Sequence, residues 1–287
     1  MNENTIITYE NTIGKLSFAY DSAFWVTEVS GASSVDVDIG ESRGAAQTGA
    51  TIEGQSVQPR TITIDGAIFE PLTANRKRLL DIMAPQVKST LTILQGGEEW
   101  YLEVVVERTP EITPGRGVQE FQARLFAGYP YWRTTASHTA QVTGIVPMFR
   151  FPFRSGGKWW VSRFSDDFYS EINNTGNVPI EFEVLFVARG AVKSPEIYHV
   201  GTGKKIRINK AMAAGEIIAV STVYGKKGVT VTSVTGEATN GFKYLSMDSD
   251  LSMTLLPGAN LLRVDAAQNR EGLTVRIDAP KGVRSGV

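Results

Sequence analysis

The chain has 287 residues, of which 42% are hydrophobic and 21% charged, with a net charge of −1 and no cysteine. The length favours two domains, and the composition is ordinary for a protein with a buried core. The lack of cysteine excludes disulfides, thiolate metal sites and cysteine nucleophiles. No apolar run approaches the ~20 residues of a membrane span, and the first residues do not resemble a signal peptide. We therefore expect a soluble protein made in a cytoplasm, without membrane insertion.

Residues 1–136 read mainly as β-strands. Apolar and polar residues alternate in 33–40 and again in 60–69, which predicts strands with one buried face. Strand-forming residues on both sides of Gly96 and Gly97 predict a hairpin that turns at this pair. A further strand is predicted in GVQEFQARLFAGYPYW.

One helix is predicted among these strands. The segment TANRKRLLDIMAP combines good helix formers with apolar residues at helical spacing. Pro85 is expected to stop this helix, and Thr73 or Asn75 to cap its beginning.

The second part of the chain, residues 137–287, predicts a β-sandwich. Short strands rich in β-branched residues alternate with turn residues, and no long helical pattern is present. The turns are expected at Gly201–Gly203, Gly225–Gly228 and Pro257–Gly258. We divide the chain into a first domain of residues 1–136 and a second of residues 137–287. The first is net acidic and the second mildly basic, with scattered charges, so no specific nucleic-acid partner is expected.

Catalytic and metal-binding patterns are missing from the sequence. Of the two histidines, His138 lies in the junction between the predicted domains and His199 in a strand of the second, so a shared role is disfavoured. Asp248 and Asp250 share a face and could bind a hard cation, but SMDSDLS lacks the glycine and glutamate of an EF-hand loop. GTGKKI lacks phosphate-loop spacing. We expect a protein that is not an enzyme and has no cofactor or metal.

Aromatic residues leave an alternative open. MFRFPFRSGGKWWVSRF predicts a strand with a buried aromatic face, followed by Trp159 and Trp160, one of which is expected to face outward. Exposed aromatic rings stack on sugars. The alternative function is therefore a carbohydrate-binding module that recognises host cell-surface glycans, with Trp159, Trp160 or Tyr244 as its platform.

An ordered set of elements gives the chain a family resemblance. In the first part, RTITIDGAIF precedes the helix NRKRLLDIMAP, the hairpin TLTILQGGEEWYLEVVVERTPEI and the strand FQARLFAGYPYWR. In the second part, FYSEINNTGNVPIEFEVLFV precedes PEIYHVGTGKKIRIN, GEIIAVSTVYGKKGVTV and LLPGANLLRV. In this order, across nearly the whole chain, they resemble the distal tail proteins of long-tailed bacteriophages, the siphovirus tail component family.

The resemblance implies a fold and a structural role. It implies a mainly β protein, with an N-terminal β-barrel-like domain of the tail-tube type that has one short helix. A galectin-like or carbohydrate-module-like β-sandwich would follow and project outward. It also implies a homo-hexamer ring in the virion, at the distal end of the tail tube. The implied partners are the tail tube protein, the tail hub or tip protein, receptor-binding or fibre proteins and, in some members, host surface glycans.

One segment suits such an assembly. GESRGAAQTGATIEG, Gly40–Gly54, is nearly free of large apolar residues, so we expect a long mobile loop that cannot anchor itself in a core. Each subunit of a ring needs two different complementary surfaces, and a loop that orders against a neighbour can supply one. We expect Gly40–Gly54 to be this assembly loop, with Gly40, Arg43, Gln47 and Gly54 as its marker residues.

Overall fold

The computed structural model describes residues 5–20, 22–143, 145–147, 162–164 and 168–287. The chain forms two compact units, residues 1–135 with 283–287, and residues 136–282. Residues 283–287, which the sequence-based division assigns to the second domain, therefore join the first unit. In the described part of the chain, no helix has the length and apolarity to cross a membrane.

The first unit contains eleven strands and one helix in its described residues. They are β1 (Ile6–Asn11), β2 (Lys15–Phe18), β3 (Phe24–Ser30), β4 (Val37–Ser42), β5 (Thr51–Val57), β6 (Arg60–Ile68), α1 (Leu72–Ile82), β7 (Ser89–Gln95), β8 (Glu98–Thr113), β9 (Gln119–Ala127) and β10 (Trp132–Thr134), with β24 (Val283–Arg284) from the end of the chain.

The main sheet of this unit has the order β2-β1-β7-β8-β9-β6-β3, and β10 joins β8 to β24. The edge strands β2 and β3 form no ladder with each other in the described residues, so the sheet is not a closed barrel. Phe18 on β2 and Phe24 on β3 bring the two edges together, because their ring centroids lie 5.9 Å apart. In a closed barrel, main-chain hydrogen bonds would join β2 to β3. In this domain the two edge strands are in contact through the side chains of Phe18 and Phe24 instead.

Sequence alternation places the core of the first unit. Ile62, Ile64 and Ile68 on β6 are fully buried, as the two-residue period predicts. Gly66 pairs with Val26 where the register of β3 shifts before Glu28, so an irregularity of the neighbouring strand lies beside this glycine. A methyl group at Gly66 would lie 2.3 Å from the Trp25 carbonyl oxygen. The glycine is therefore required by the close approach of β3.

The predicted hairpin turn is confirmed. Gln95 and Glu98 close the ladder of β7 and β8, and Gly96 and Gly97 between them have φ angles of 62° and 83°. Two positive φ values are what a two-residue hairpin turn of this type requires, and glycine adopts them without strain.

The predicted helix is present, but its expected caps are wrong. Helix α1 begins at Leu72, one residue after its N-cap position Pro71, and no side chain caps it. Asn75 lies inside the first turn, where its Nδ2 donates to the Phe69 carbonyl at 2.8 Å. Because Pro71 occupies the N-cap position and the helix begins at Leu72, Thr73 and Asn75 both lie inside the helix.

The second unit contains the remaining described strands and two short 3₁₀ turns. The strands are β11 (Ser137–Thr143), β12 (Ile145–Pro147), β13 (Ser162–Phe164), β14 (Tyr169–Asn174), β15 (Glu183–Ala188), β16 (Val192–His199), β17 (Lys205–Arg207), β18 (Ala211–Met212), β19 (Ile217–Ser221), β20 (Gly228–Thr232), β21 (Ala238–Asn240), β22 (Gly258–Gln268) and β23 (Leu273–Pro280), and the turns are Phe242–Tyr244 and Arg270–Gly272.

Two antiparallel sheets dominate the second unit. One has the order β11-β23-β15-β19-β20-β21, and the other has β14-β22-β16-β17 with β18 beside β16. Phe182, Val184 and Phe186, which alternate with polar or half-buried residues along the chain, are all fully buried. The mainly β fold is confirmed, and this unit is consistent with a galectin-like sandwich.

Candidate assembly surface

The segment expected to be a mobile loop is a β-hairpin. Strand β4 pairs with β5 in a separate two-stranded sheet, and every residue of both strands is exposed. The expectation of a loop over Gly40–Gly54 is therefore wrong, and only the tip between Ser42 and Thr51 lies outside the strands. The sequence has no large apolar cluster here because the two strands pair with each other and not with a core.

The hairpin brings the four expected assembly residues together. Gly40 pairs with Gly54 across the ladder, where the register shifts. Arg43 forms an ion pair with Glu41 at 3.1 Å. Gln47 closes the tip, because its Oε1 accepts from the Gly44 amide at 2.9 Å and its Nε2 donates to a threonine hydroxyl at 3.0 Å. All of these contacts lie within the hairpin.

One face of the hairpin carries four exposed apolar side chains, beside Glu41 and Gln55. Val37 pairs with Val57, Ile39 lies two residues along the same strand, and Ile52 pairs with Glu41, so the four apolar side chains share a face. Ile39 is 54% and Ile52 61% exposed. A two-stranded hairpin alone is marginally stable in water, and an isolated apolar face is a feature of interaction surfaces. We call the hairpin Val37–Val57 the arm.

A second exposed surface lies on the first unit and was missed by the sequence-based predictions. Edge strand β3 carries Trp25, whose ring lies 5.2 Å from that of Tyr20 and 6.1 Å from that of Phe69. Tyr20 and Trp25 are both exposed. An unpaired strand edge beside exposed aromatic rings can accept another strand. The sequence shows the aromatic residues Tyr20 and Trp25 near Phe24, but such residues are also common in an ordinary strand.

The structure places only one of the three candidate sugar-contact residues. Trp159 and Trp160 lie outside the described residues. Tyr244 ends a 3₁₀ turn and is half-buried, and the ammonium groups of Lys210 and Lys243 lie 5.7 and 5.0 Å from its ring centroid. The ring of Tyr244 thus already contacts two cations of its own chain.

The carboxylate pair considered for cation binding is held by lysines. Asp248 forms an ion pair with Lys205, and Asp250 with Lys204 at 2.8 Å. These lysine hydrogen bonds, with those of nearby serines, lower the pKa of each carboxyl to about 2. In the described part of the chain, no group of three or more His, Asp or Glu residues is arranged to hold a metal ion.

The histidine considered for catalysis is part of the sandwich interior. His199 is buried, its Nδ1 accepts from the Thr202 amide at 3.1 Å, and its Nε2 lies 2.9 Å from Asn260 Oδ1. With Nδ1 as acceptor, the assigned tautomer has its proton on Nε2, which donates to Asn260. Both ring nitrogens are therefore used in holding the Gly201–Gly203 turn and β22.

Comparisons with known proteins found similarity to phage tail proteins in part of the sequence and in the fold. Residues 175–277 match the family model described as the siphovirus-type tail component, C-terminal domain. The crystal structure of SPP1 Dit, titled a paradigm of the hub adsorption apparatus in phages that infect Gram-positive bacteria, is 14% identical, with a TM-score of 0.67 over 96% of this chain and 98% of that one. This likeness shows a common fold.

Chains of the phage P2 baseplate in its activated conformation also match. The structure with Ca is 10% identical with a TM-score of 0.48, and the structure with Sr is 9% identical with a TM-score of 0.47. Each match covers 96% of this chain and 97% of the other. These two scores are too low to show a shared fold. No curated protein sequence matches this chain significantly.

Proposed function

Because residues 175–277 carry the C-terminal domain of the siphovirus-type tail component family, as the sequence resemblance implied, we propose that this chain builds the ring at the distal end of a phage tail tube. In this proposal six copies form a hub in the baseplate. The first unit contacts the tail tube and the tail hub or tip protein, and the second unit carries receptor-binding or fibre proteins. The chain acts as a structural part and not as an enzyme.

The arm is the observation that supports the assembly part of the proposal. Its apolar face is exposed in the single chain, and it has no core of its own. Fully burying a Val or Ile side chain stabilises by about 1.5–3 kcal/mol, so covering four half-exposed ones would contribute about 3–6 kcal/mol per interface. A ring places one such interface at every subunit boundary, which multiplies this gain.

The partner of the arm in this proposal is a second copy of the chain. A ring requires heterologous contacts, in which one surface of a subunit meets a different surface of the next. The arm and the β3 edge are two different exposed surfaces of one unit, and an unpaired edge accepts a strand by main-chain hydrogen bonds. We therefore assign the β3 edge, with Trp25 and Tyr20, as the surface that receives the arm of the neighbour.

Oligomer mass tests the proposal. We expect the purified chain to form a hexamer by light scattering after size exclusion, and a ring by negative-stain microscopy, alone or when tail tube protein is added. The double variant Ile39→Ser and Ile52→Ser should abolish the ring with little effect on unfolding of the monomer. Ile13→Ser is the matched control, because Ile13 is 52% exposed on the same unit but lies outside the arm.

Two outcomes would contradict this account. A chain that stays monomeric in every condition and does not join tail particles would contradict the ring. A ring that forms equally well from the double variant and from Ile13→Ser would contradict the role of the arm. Labelling the chain in purified particles tests its location, and we expect the label at the tail tip.

A further inference from the structure

Two glycines face each other in the arm, and nothing within the chain requires them. Gly40 on β4 pairs with Gly54 on β5, and both are exposed. Neither has a φ in the left-handed region, so the backbone conformation does not demand glycine. A methyl group at Gly54 would meet no atom within 4 Å, and one at Gly40 would lie 3.7 Å from its nearest neighbours, an ordinary contact. The chain therefore has room for a side chain at both positions.

Glycine weakens a strand at such positions. It loses more backbone freedom on folding than other residues do, and it has no side chain to pack. The register shift beside Gly40 does not explain the choice, since the type of bulge that needs glycine also needs a positive φ. At Gly66 the reason lies within the chain, because a methyl group there would lie 2.3 Å from the Trp25 carbonyl oxygen. A strand glycine without such a neighbour is typical of a place that another molecule approaches closely.

The glycine pair makes a flat patch in the middle of one face of the arm. Directly paired residues share a face, and so do residues two positions apart on one strand. The apolar side chains of the arm therefore point to the opposite face. Aromatic side chains on a neighbouring strand cover strand glycines, because a flat ring can lie against the exposed main chain. The other residues on the glycine face are polar and mostly small: Asp38, Ser42, Thr51 and Ser56.

A ring that fits this patch lies on edge strand β3. Trp25 is 43% exposed and alternates with Phe24 and Val26, which are buried on the other face of the strand. The Trp25 ring lies 5.2 Å from that of Tyr20 and 6.1 Å from that of Phe69, so these neighbours hold it in place. A group that is already ordered loses less entropy on binding. Trp25 thus presents a positioned aromatic surface beside an unpaired strand edge.

The faces of the arm and of β3 match in one orientation. If the arm is added beside β3 with its apolar side chains on the side of Phe24 and Val26, they continue the core face of the sheet. The glycine pair then lies on the same side as Trp25, where a ring reaches over the adjacent strand. The reverse orientation would place Ile39 on the solvent side and the glycines against the core face. Covering of apolar surface therefore favours the first orientation.

From these observations we infer that Gly40 and Gly54 form the docking site for Trp25 of a second copy of the chain. The contact fixes which face of the arm turns toward the core of the neighbour. The two positions lack side chains so that the ring can reach the main chain, and the single chain has a weaker arm as a result. This inference rests on the proposed ring, because it needs a neighbouring copy, and it assigns the residues that set the orientation of the arm.

Assembly compared with arm stability tests the inference. Gly54→Val should slow hydrogen exchange of the arm in the monomer, because valine forms strands better than glycine. The same change should raise the subunit concentration at half assembly about tenfold or more, because the valine side chain occupies the place of the ring. Trp25→Ala should raise it by a similar factor, and Trp25→Phe by less. Ser56→Val is the matched control, because Ser56 lies on the same strand and face but already carries a side chain.

The double variant with Gly54→Val and Trp25→Ala separates a direct contact from two unrelated effects. Removing the ring also removes its clash with the valine, so the double variant should assemble as well as Trp25→Ala alone. Independent losses would instead multiply to about a hundredfold, which would overturn the inference. A ring that forms equally well from Gly54→Val and from Ser56→Val would overturn it while leaving the ring proposal intact. An unmodified chain that never assembles would overturn both.

Discussion

Deleting residues 283–287 is expected to destabilise the first unit although these residues end the chain after the second. Val283 is buried and pairs with Arg133, and Val287 packs against the core of the first unit. Arg60, only 4% exposed, donates to the carbonyls of Ala32 and Ser285. The deletion would remove both the apolar contact and one acceptor of this buried guanidinium.

The magnitude follows from these two losses. A fully buried valine contributes about 1.5–3 kcal/mol. A hydrogen bond to a charged group contributes about 1.5–3 kcal/mol. Burial already lowers the pKa of Arg60 to about 10, so its cation depends on the acceptors around it. We therefore expect the free energy of unfolding of the first unit to fall by about 3–6 kcal/mol.

Native-state hydrogen exchange measures this effect unit by unit. The slowest amides of β7 and β8 report unfolding of the first unit, and those of β15 and β23 report the second. Only the first set should exchange faster after the deletion. Val283→Thr should reproduce part of the loss, whereas Val200→Thr, at an exposed position of the second unit, should be nearly neutral. A change below about 1 kcal/mol in the first unit would refute the reasoning, because it is less than either contribution alone.

Two further predictions concern a close backbone approach and an ion pair. Gly66→Ala should lower the thermal midpoint by several degrees, because the added methyl group meets the Trp25 carbonyl oxygen, whereas Gly54→Ala meets no atom within 4 Å and should leave it nearly unchanged. The Lys204–Asp250 pair should stabilise the second unit by at most about 1 kcal/mol, since it is half-exposed. The folded pKa of Asp250 is about 2, below the ordinary 3.8, so this contribution is present above pH 4 and is lost as the pH falls through 2. Acid titration of Lys204→Met should show a smaller loss, because the Ser252 hydrogen bonds to Asp250 remain; an unchanged curve for the variant would contradict the pairing.

Strand periodicity predicted much of the fold where an alternating segment has one buried face, as in β6; the buried face expected over 33–40 is wrong, because every residue of β4 is exposed. Ile62 and Ile64 in the first unit and Phe182 and Val184 in the second are buried as their spacing indicates. The Gly96-Gly97 turn was predictable for a local reason, since few other residues adopt two positive φ angles in succession.

The arm could not be predicted in the same way. Its residues have no buried face, so the alternation of Val37 and Ile39 ends at Gly40 without a core signal. The pairing with β5 depends on main-chain hydrogen bonds and on the turn near Gly49, which a composition rich in Gly, Ala and Thr does not distinguish from a loop. The charged row of Glu196, Arg207 and Asp265 on β16, β17 and β22 was also not predictable, because cross-strand register, and not sequence spacing, brings these residues together.

Hydrogen exchange of the arm in the monomer and in the assembled ring tests the central claim most directly. The account predicts that amides in Thr51–Val57 exchange rapidly in the monomer and become protected in the ring, together with those of β3. Protection that is the same in both states would contradict the proposal that the arm of one copy binds its neighbour.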